Sequence, residues 1–491
     1  MRSVGATLCL LAALLVGTPA YAEPAPGAPG IGDPYFPSYG NGGYDVDHYD
    51  LRLRYRPETD LLSGTTTILA RALEDLSQFN LDFVLPPTSV RVNGLPAVFR
   101  QEGTELVVTP ARTIAAGSRI TVVVTYSASP SEYPVDGWSA WAPTPGGGII
   151  ALGEPEVAWW WFPSNDHPAD KATFDISIGV PDDYQAISSG RFLGTVDEPG
   201  YTRWRWRVAQ PTTTYLVFLA IGHYDITTDT TADGLPIVNA YSTSLGEFDG
   251  AARASLERTG EVVQFLSDLF GDYPFDALGG VALAGGANFA LETQARPVYG
   301  PGFFRNGSNL YVVVHELAHQ WFGDSVSVAT WRNIWLNEGL ASYAEWLWSE
   351  AVDEGTAQEI FDWYYSVVYP PESDFWQVTP GDPGPDVLFH SAVYDRGAMA
   401  VHALRQAVGD EAFFEILRTW VSEEAYGNAT IEDFIALAER ISGQQLDELF
   451  EAWLFTPGRP SLSPAARAVA SPTQPESFPL IADTHRLLSI A

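Results

Sequence analysis

The segment VVVHELAHQWFGD, residues 312–324, constrains this chain more than any other. Of only eight histidines, two, His315 and His319, stand four residues apart around Glu316, directly behind three valines. On a helix, positions i and i+4 share a face, so both imidazoles project to one side and can grip one metal ion. A pair of packed core histidines would show the same spacing, so the residues that follow must decide. A catalytic zinc takes three protein ligands and keeps a fourth position for water. Nineteen positions beyond His319, Glu338 sits in WLNEGLASYAEW, itself a helical pattern, among Trp335, Leu336, Leu340 and Tyr343. A carboxylate in such apolar company needs a cation. The spacing therefore predicts one Zn2+ per chain, held by His315, His319 and Glu338. Glu316 cannot face the same way as both histidines, but it can lean toward the open position and act as general base toward an attacking water.

The rest of the 491 residues sets the frame. Lys+Arg total 26 against 61 Asp+Glu, and the net charge of −35 argues against nucleic acid or an anionic membrane as partner. Residues 1–22 read as a cleaved secretory signal: Arg2, an apolar run, then Ala20-Tyr21-Ala22 before Glu23. The one cysteine, Cys9, lies inside it, so a secreted mature protein without disulfides is expected. No later apolar run is long enough for a membrane span. Residues 23–34 read as a linker. Residues 35–225 read as an all-β domain, from alternating segments such as YDLRLRY, RITVVVTYSA and TRWRWRVA. The period turns helical from Glu247, giving a mostly helical domain over 226–456, and 457–491 reads as a loose tail rich in Ala, Ser and Pro. The expected class is α+β and multidomain, with no large C-terminal helical domain, because 34 residues follow Pro457.

HExxH, eighteen residues and then Asn-Glu resembles the gluzincin aminopeptidases of the aminopeptidase N family over about residues 40–460. The resemblance implies an N-terminal β-rich saddle followed by a thermolysin-like zinc domain. It also implies that His315, His319 and Glu338 bind zinc and that Glu316 is the base. Three further stretches match the family in part. Tyr394-Asp395-Arg396-Gly397 is similar to its Tyr-Glu-Lys-Gly segment, which makes Tyr394 the hydrogen-bond donor to the oxyanion. Phe289-Ala290-Leu291-Glu292-Thr293 stands at its Gly-x-Met-Glu-Asn segment, with Ala290 at the backbone-binding edge and Glu292 on the substrate ammonium. Glu154 falls at its second amine-binding glutamate, where the family's preceding glutamine is replaced by Leu152, and the Trp159–Trp161 run just beyond reads as packing between domains. The implied activity is hydrolysis of the N-terminal residue from peptides with a free amino terminus. The same fold could serve an endopeptidase or an epoxide hydrolase, and a binding protein with a vestigial site is the alternative of another class.

Overall fold

The computed structural model describes residues 23–462 and 472–489. The expected signal, 1–22, lies outside the described residues.

Strands fill the first part because the sequence alternates. In YDLRLRY, Tyr49, Leu51, Leu53 and Tyr55 turn inward and are buried, while Arg52 between them is exposed. This run lies in β1 (Tyr44–Arg56), which pairs antiparallel with β2 (Leu61–Ala72). Beyond it, β2 pairs antiparallel with β3 (Arg119–Ala128). On its other side β1 runs parallel to β4 (Ala172–Pro181), which pairs antiparallel with β5 (Tyr201–Thr212). These are the central members of an eight-stranded sheet. Trp160 and Trp161 are fully buried, and Trp159 packs edge-on against Tyr39 at 5.2 Å, so the tryptophan run is core.

Strands β6 (Tyr224–Thr230), β7 (Pro236–Ser242), β8 (Leu278–Ala282), β9 (Ala290–Leu291) and β10 (Val298–Tyr299) form a second sheet in the order β6-β7-β8-β10-β9, which leaves β9 at an edge. The sheet straddles residue 225, the expected end of the β domain, because β6 pairs with β7 along its whole length from Tyr224 to Thr230.

Helices follow: α1 (Asp249–Leu256), α2 (Thr259–Phe270), α3 (Leu310–Ala318), α4 (Trp335–Ala351), α5 (Ala357–Trp363), α6 (Ser391–Val408), α7 (Asp410–Glu423), α8 (Ile431–Ser442) and α9 (Asp447–Phe450). Their ends carry the expected chemistry. A capping box of Thr430 and Asp433 opens α8, and Gly443, at φ +66, stops it. The strand-rich part leading into a mostly helical part is the architecture expected from the sequence.

Two segments depart from expectation. The 23–34 stretch is no free linker at its end: Asp33 is buried, accepting from Trp331 N at 2.8 Å and facing His167 Nε2 at 3.0 Å, which ties the helical part to the β domain. The 457–491 stretch is not all loose tail either. Residues Phe478–Leu488 form a helix, α10, with Ile481, Thr484 and His485 buried against the rest of the molecule. Its eleven residues make only about three turns behind an Ala/Ser/Pro run, too short a period to stand out.

Helices α4 and α6 cross at glycine. A Cβ on Gly397 would come within 2.9 Å of Trp335 Cδ1 and 3.1 Å of Gly339 Cα, so only glycine permits the approach that brings Glu338 and Tyr394 into one site. The next residue back, Arg396, faces away from the site. Its buried guanidinium donates to the carbonyls of Trp376, Val378, Ala452, Trp453 and Thr456 at 2.7–3.2 Å and so ties the helical turn after α9 and the 376–378 segment to α6. Arg396→Met should destabilise the protein by several kcal/mol, since each buried carbonyl left unpaired costs about 1–3 kcal/mol. Thermal unfolding followed by circular dichroism checks this, and an unchanged midpoint would contradict the assigned role.

Candidate active site

Helix α3 begins at Asn309, whose side chain accepts from Tyr311 N and Val312 N, and its valines sink it into the core. His315 and His319 leave it one turn apart with ring centroids 4.8 Å from each other. Each ring is fixed through Nδ1: His315 to Glu345 Oε1 at 2.8 Å, His319 to the carbonyl of Phe322 at 3.0 Å. Both Nε2 atoms are thereby left for a ligand on the same side. From the first turn of α4, Glu338 places Oε2 3.2 Å from His315 Nε2 and 3.6 Å from His319 Nε2. All three residues are buried. Two imidazole nitrogens and a carboxylate oxygen converging on one point, each ring held from behind, fit a divalent metal of zinc's preference.

Two other donor groupings exist among the described residues, one inside the cleft with a single imidazole and one outside it. Glu292, Glu316 and His319 also bring donor atoms close together, as do His315, Glu345 and His485. In the latter, the ring nitrogens already bond the Glu345 carboxylate, and neither Glu345 nor His485 lines the cleft. His315, His319 and Glu338 do line it.

The cleft holds about 480 Å3 and also exposes Glu154, Glu292, Glu316 and Tyr394 between apolar walls that include Trp138, Phe289 and Phe389. Glu316 Oε1 is buried with no hydrogen-bond partner in the protein. Burial pushes the Glu316 carboxyl up to about 8, with His315 and His319 opposing. Glu338 shows the reverse balance: burial would raise it, but His319 and His315 hold it at about 2. Tyr394, on the first turns of α6, has its ring 5.9 Å from that of His315. Burial, and then Glu338, push its phenol well above the ordinary range, so it stays protonated and can donate.

Glu292 follows edge strand β9 directly, and Ala290 lies in that strand, whose far side has no strand partner. The Tyr215 hydroxyl, from the β domain, donates to Glu292 Oε1 at 3.1 Å. Glu154 enters from the β domain with its Oε1 buried and unpartnered. Burial and then Glu292 push its carboxyl well up, while burial also raises Glu292 against the pull of His319. Two carboxylates facing one cleft without an internal cation make a seat for a cationic group. All eight residues singled out in the sequence thus meet at this cleft. Beside the cleft, His390 caps α6, accepting from Ala392 N at 3.1 Å, and lines an adjoining recess.

Sequence reading passed over Glu345, Tyr215 and His485. Glu345 was legible in principle, since it stands seven residues after Glu338 on the same helical face and is a carboxylate among tryptophans. Tyr215 and His485 reach the site only through the tertiary fold.

A β-rich domain leading into a helical one, with HExxH on one helix and the third donor on the next, defines a gluzincin-type protein. Residues 45–216 match the Peptidase M1 N-terminal domain and residues 303–453 the Peptidase family M1 domain. The chain belongs to the peptidase M1 family. It is 29% identical over 337 residues to Aminopeptidase M1 of Arabidopsis thaliana, covering 63% of this chain and 37% of that one. It is 25% identical over 454 residues to Aminopeptidase N of Lactobacillus helveticus, covering 85% of this chain and 51% of that one. The chain thus spans about half or less of the length of these curated relatives. The crystal structure of an M1 zinc metallopeptidase from Deinococcus radiodurans is 29% identical with a TM-score of 0.77, covering 90% of this chain and all of that one. A mutant of that protein has been solved with a Tyr-Ser-Ala substrate bound.

Proposed function

We propose that the protein is an exported zinc aminopeptidase that removes single N-terminal residues from peptides. The observation that carries this reading is the pair of carboxylates, half-buried Glu154 from the β domain and buried Glu292 from the helical part, in the same cleft as the metal donors. An α-ammonium between them would offset the burial that pushes both up, and would place the first peptide bond next to the metal. Export rests on the leader-like residues 1–22.

His315, His319 and Glu338 would hold the zinc. Bound zinc supplies Lewis acidity, making water a competent nucleophile near neutral pH and polarising the scissile carbonyl. The chain's own groups do the rest. Edge strand β9 offers unpaired backbone groups at Ala290 along which an extended substrate can lie. Glu316 accepts the proton of the attacking water at Oε1, an atom that no other protein group engages. It then hands that proton to the leaving amine. Tyr394 donates to the oxygen on which charge grows.

A panel of amino-acid arylamides, hydrolysed with and without chelator, tests the reading. Chelator-sensitive release from free amino-acid arylamides supports it. Cleavage confined to internal bonds would favour an endopeptidase, and zinc binding without any turnover a binding protein. Tyr394→Phe should lower kcat with little change in KM, because the hydroxyl contact is worth most in the transition state. A change confined to KM would assign Tyr394 to binding instead.

A further inference from the structure

The last described helix reaches every helix that carries the site. From α10, Thr484 Oγ1 accepts from the side-chain amide of Asn309, the residue that caps α3, at 3.0 Å. His485 Nε2 lies 2.7 Å from Glu345 Oε1 on α4, and its Nδ1 lies 2.5 Å from Asp395 Oδ1 on α6. Glu345 Oε1 is the same atom that accepts from His315 Nδ1. Asp395 is the neighbour of Tyr394 and takes the Tyr369 hydroxyl on its other oxygen at 2.5 Å. The helix is pinned at its start, where Ser477 and Ser349 share a 2.7 Å hydroxyl contact, and again by the ion pair of Asp483 with Arg305. Leu488, at its end, is part of the cleft wall.

We propose that His485 is a positioning residue of the active site, clamping Glu345 behind His315 and Asp395 beside Tyr394, so that the site is complete only when the C-terminal helix has docked. The argument is geometric. A carboxylate behind a metal-binding imidazole fixes its tautomer and ring orientation, and its own placement must be held in turn. Glu345 is fully buried, with its other oxygen unpartnered, and its bonds on the ligand-facing oxygen are those to His315 and His485. Both nitrogens of His485 face carboxylate oxygens, so both donate and the ring is an imidazolium. Burial alone would strip that proton, but Glu345 and Asp395 hold His485 up at about 10. Remove it, and two buried carboxylates are left against each other with no cation between them. Glu345 then swings from His315, and α6 loses the tie that sets Tyr394.

The inference rests on the metal site proposed above but not on the substrate. The test uses the full chain and two variants, His485→Ala and His485→Gln, with zinc affinity measured by equilibrium competition against a chromophoric chelator. Loss of a partner behind a ligand typically weakens metal binding about ten- to a hundredfold. We expect that loss in His485→Ala, a smaller one in His485→Gln, which retains one donor, and a fall in kcat that exceeds any change in KM. Added imidazole should restore part of both to His485→Ala. Zinc affinity within twofold of the parent in a folded His485→Ala protein would overturn the proposal, whatever the substrate proves to be. If His485→Ala does not fold, the same limit applied to His485→Gln decides. A parent chain that binds zinc tightly but hydrolyses no arylamide would overturn the aminopeptidase reading alone, and one that binds no zinc would overturn both.

Discussion

Glu316→Gln should lose about a hundred- to ten-thousandfold in turnover while retaining its zinc. The amide keeps the shape and volume of the carboxylate, and position 316 is not among the three converging donors, so neither fold nor metal content should change. What the amide cannot do is accept a proton. Glu316 Oε1 is buried and unpartnered, so it is free to take a proton from a water in the cleft. Among the other carboxylates of the cleft, Glu338 is committed to the histidines, Glu154 and Glu292 are set to meet a cation, and Glu156 is engaged by Tyr39. None can replace Glu316 without leaving its own task. Near-normal kcat in a zinc-loaded Glu316→Gln protein would show that another group is the base.

Stripping the metal should abolish turnover altogether, and about one equivalent of Zn2+ per chain should restore it. The protein should survive the treatment. Glu338 lies within 3.6 Å of both Nε2 atoms and can pair with them as a local ion pair, and the rings stay fixed through Nδ1. The cost should appear as a lower thermal midpoint, because a ligand that binds only the folded state stabilises it by mass action. Full activity at less than a tenth of an equivalent of residual metal, measured by mass spectrometry, would contradict the assignment.

The sequence disclosed this site unevenly, for physical reasons. HExxH and Glu338 are legible because metal ligation demands particular residue types at helical spacing, and the chain holds few histidines to confuse the pattern. Glu292, Glu154 and Tyr394 were legible only through resemblance, since a lone Glu or Tyr has no spacing of its own to betray it. The order of strands and then helices could be read from period. The edge position of β9 could not, since its two residues carry no alternation and acquire meaning only from pairing with β10. Arg396 replaces a lysine of the family's pattern and was read as part of a site motif, yet its work is to bond five carbonyls. Its fork of donors suits that task better than an ammonium would. The C-terminal segment was misjudged because α10 is short. Its histidine gains its role from Glu345 and Asp395, which stand 140 and 90 residues away in sequence.

The comparison of a free amino-acid arylamide with its N-acetylated counterpart tests the central claim most directly. Acetylation removes the ammonium and turns a neutral amide toward Glu154 and Glu292. Charge-assisted hydrogen bonds are worth about 1.5–3 kcal/mol each, so losing two should cost at least about a hundredfold in kcat/KM. Glu292→Ala and Glu154→Ala should each narrow that ratio by slowing the free substrate more than the blocked one. A large preference for the free amine that collapses in both variants is the predicted result. Equal kcat/KM for free and acetylated substrates in the parent protein would contradict the account.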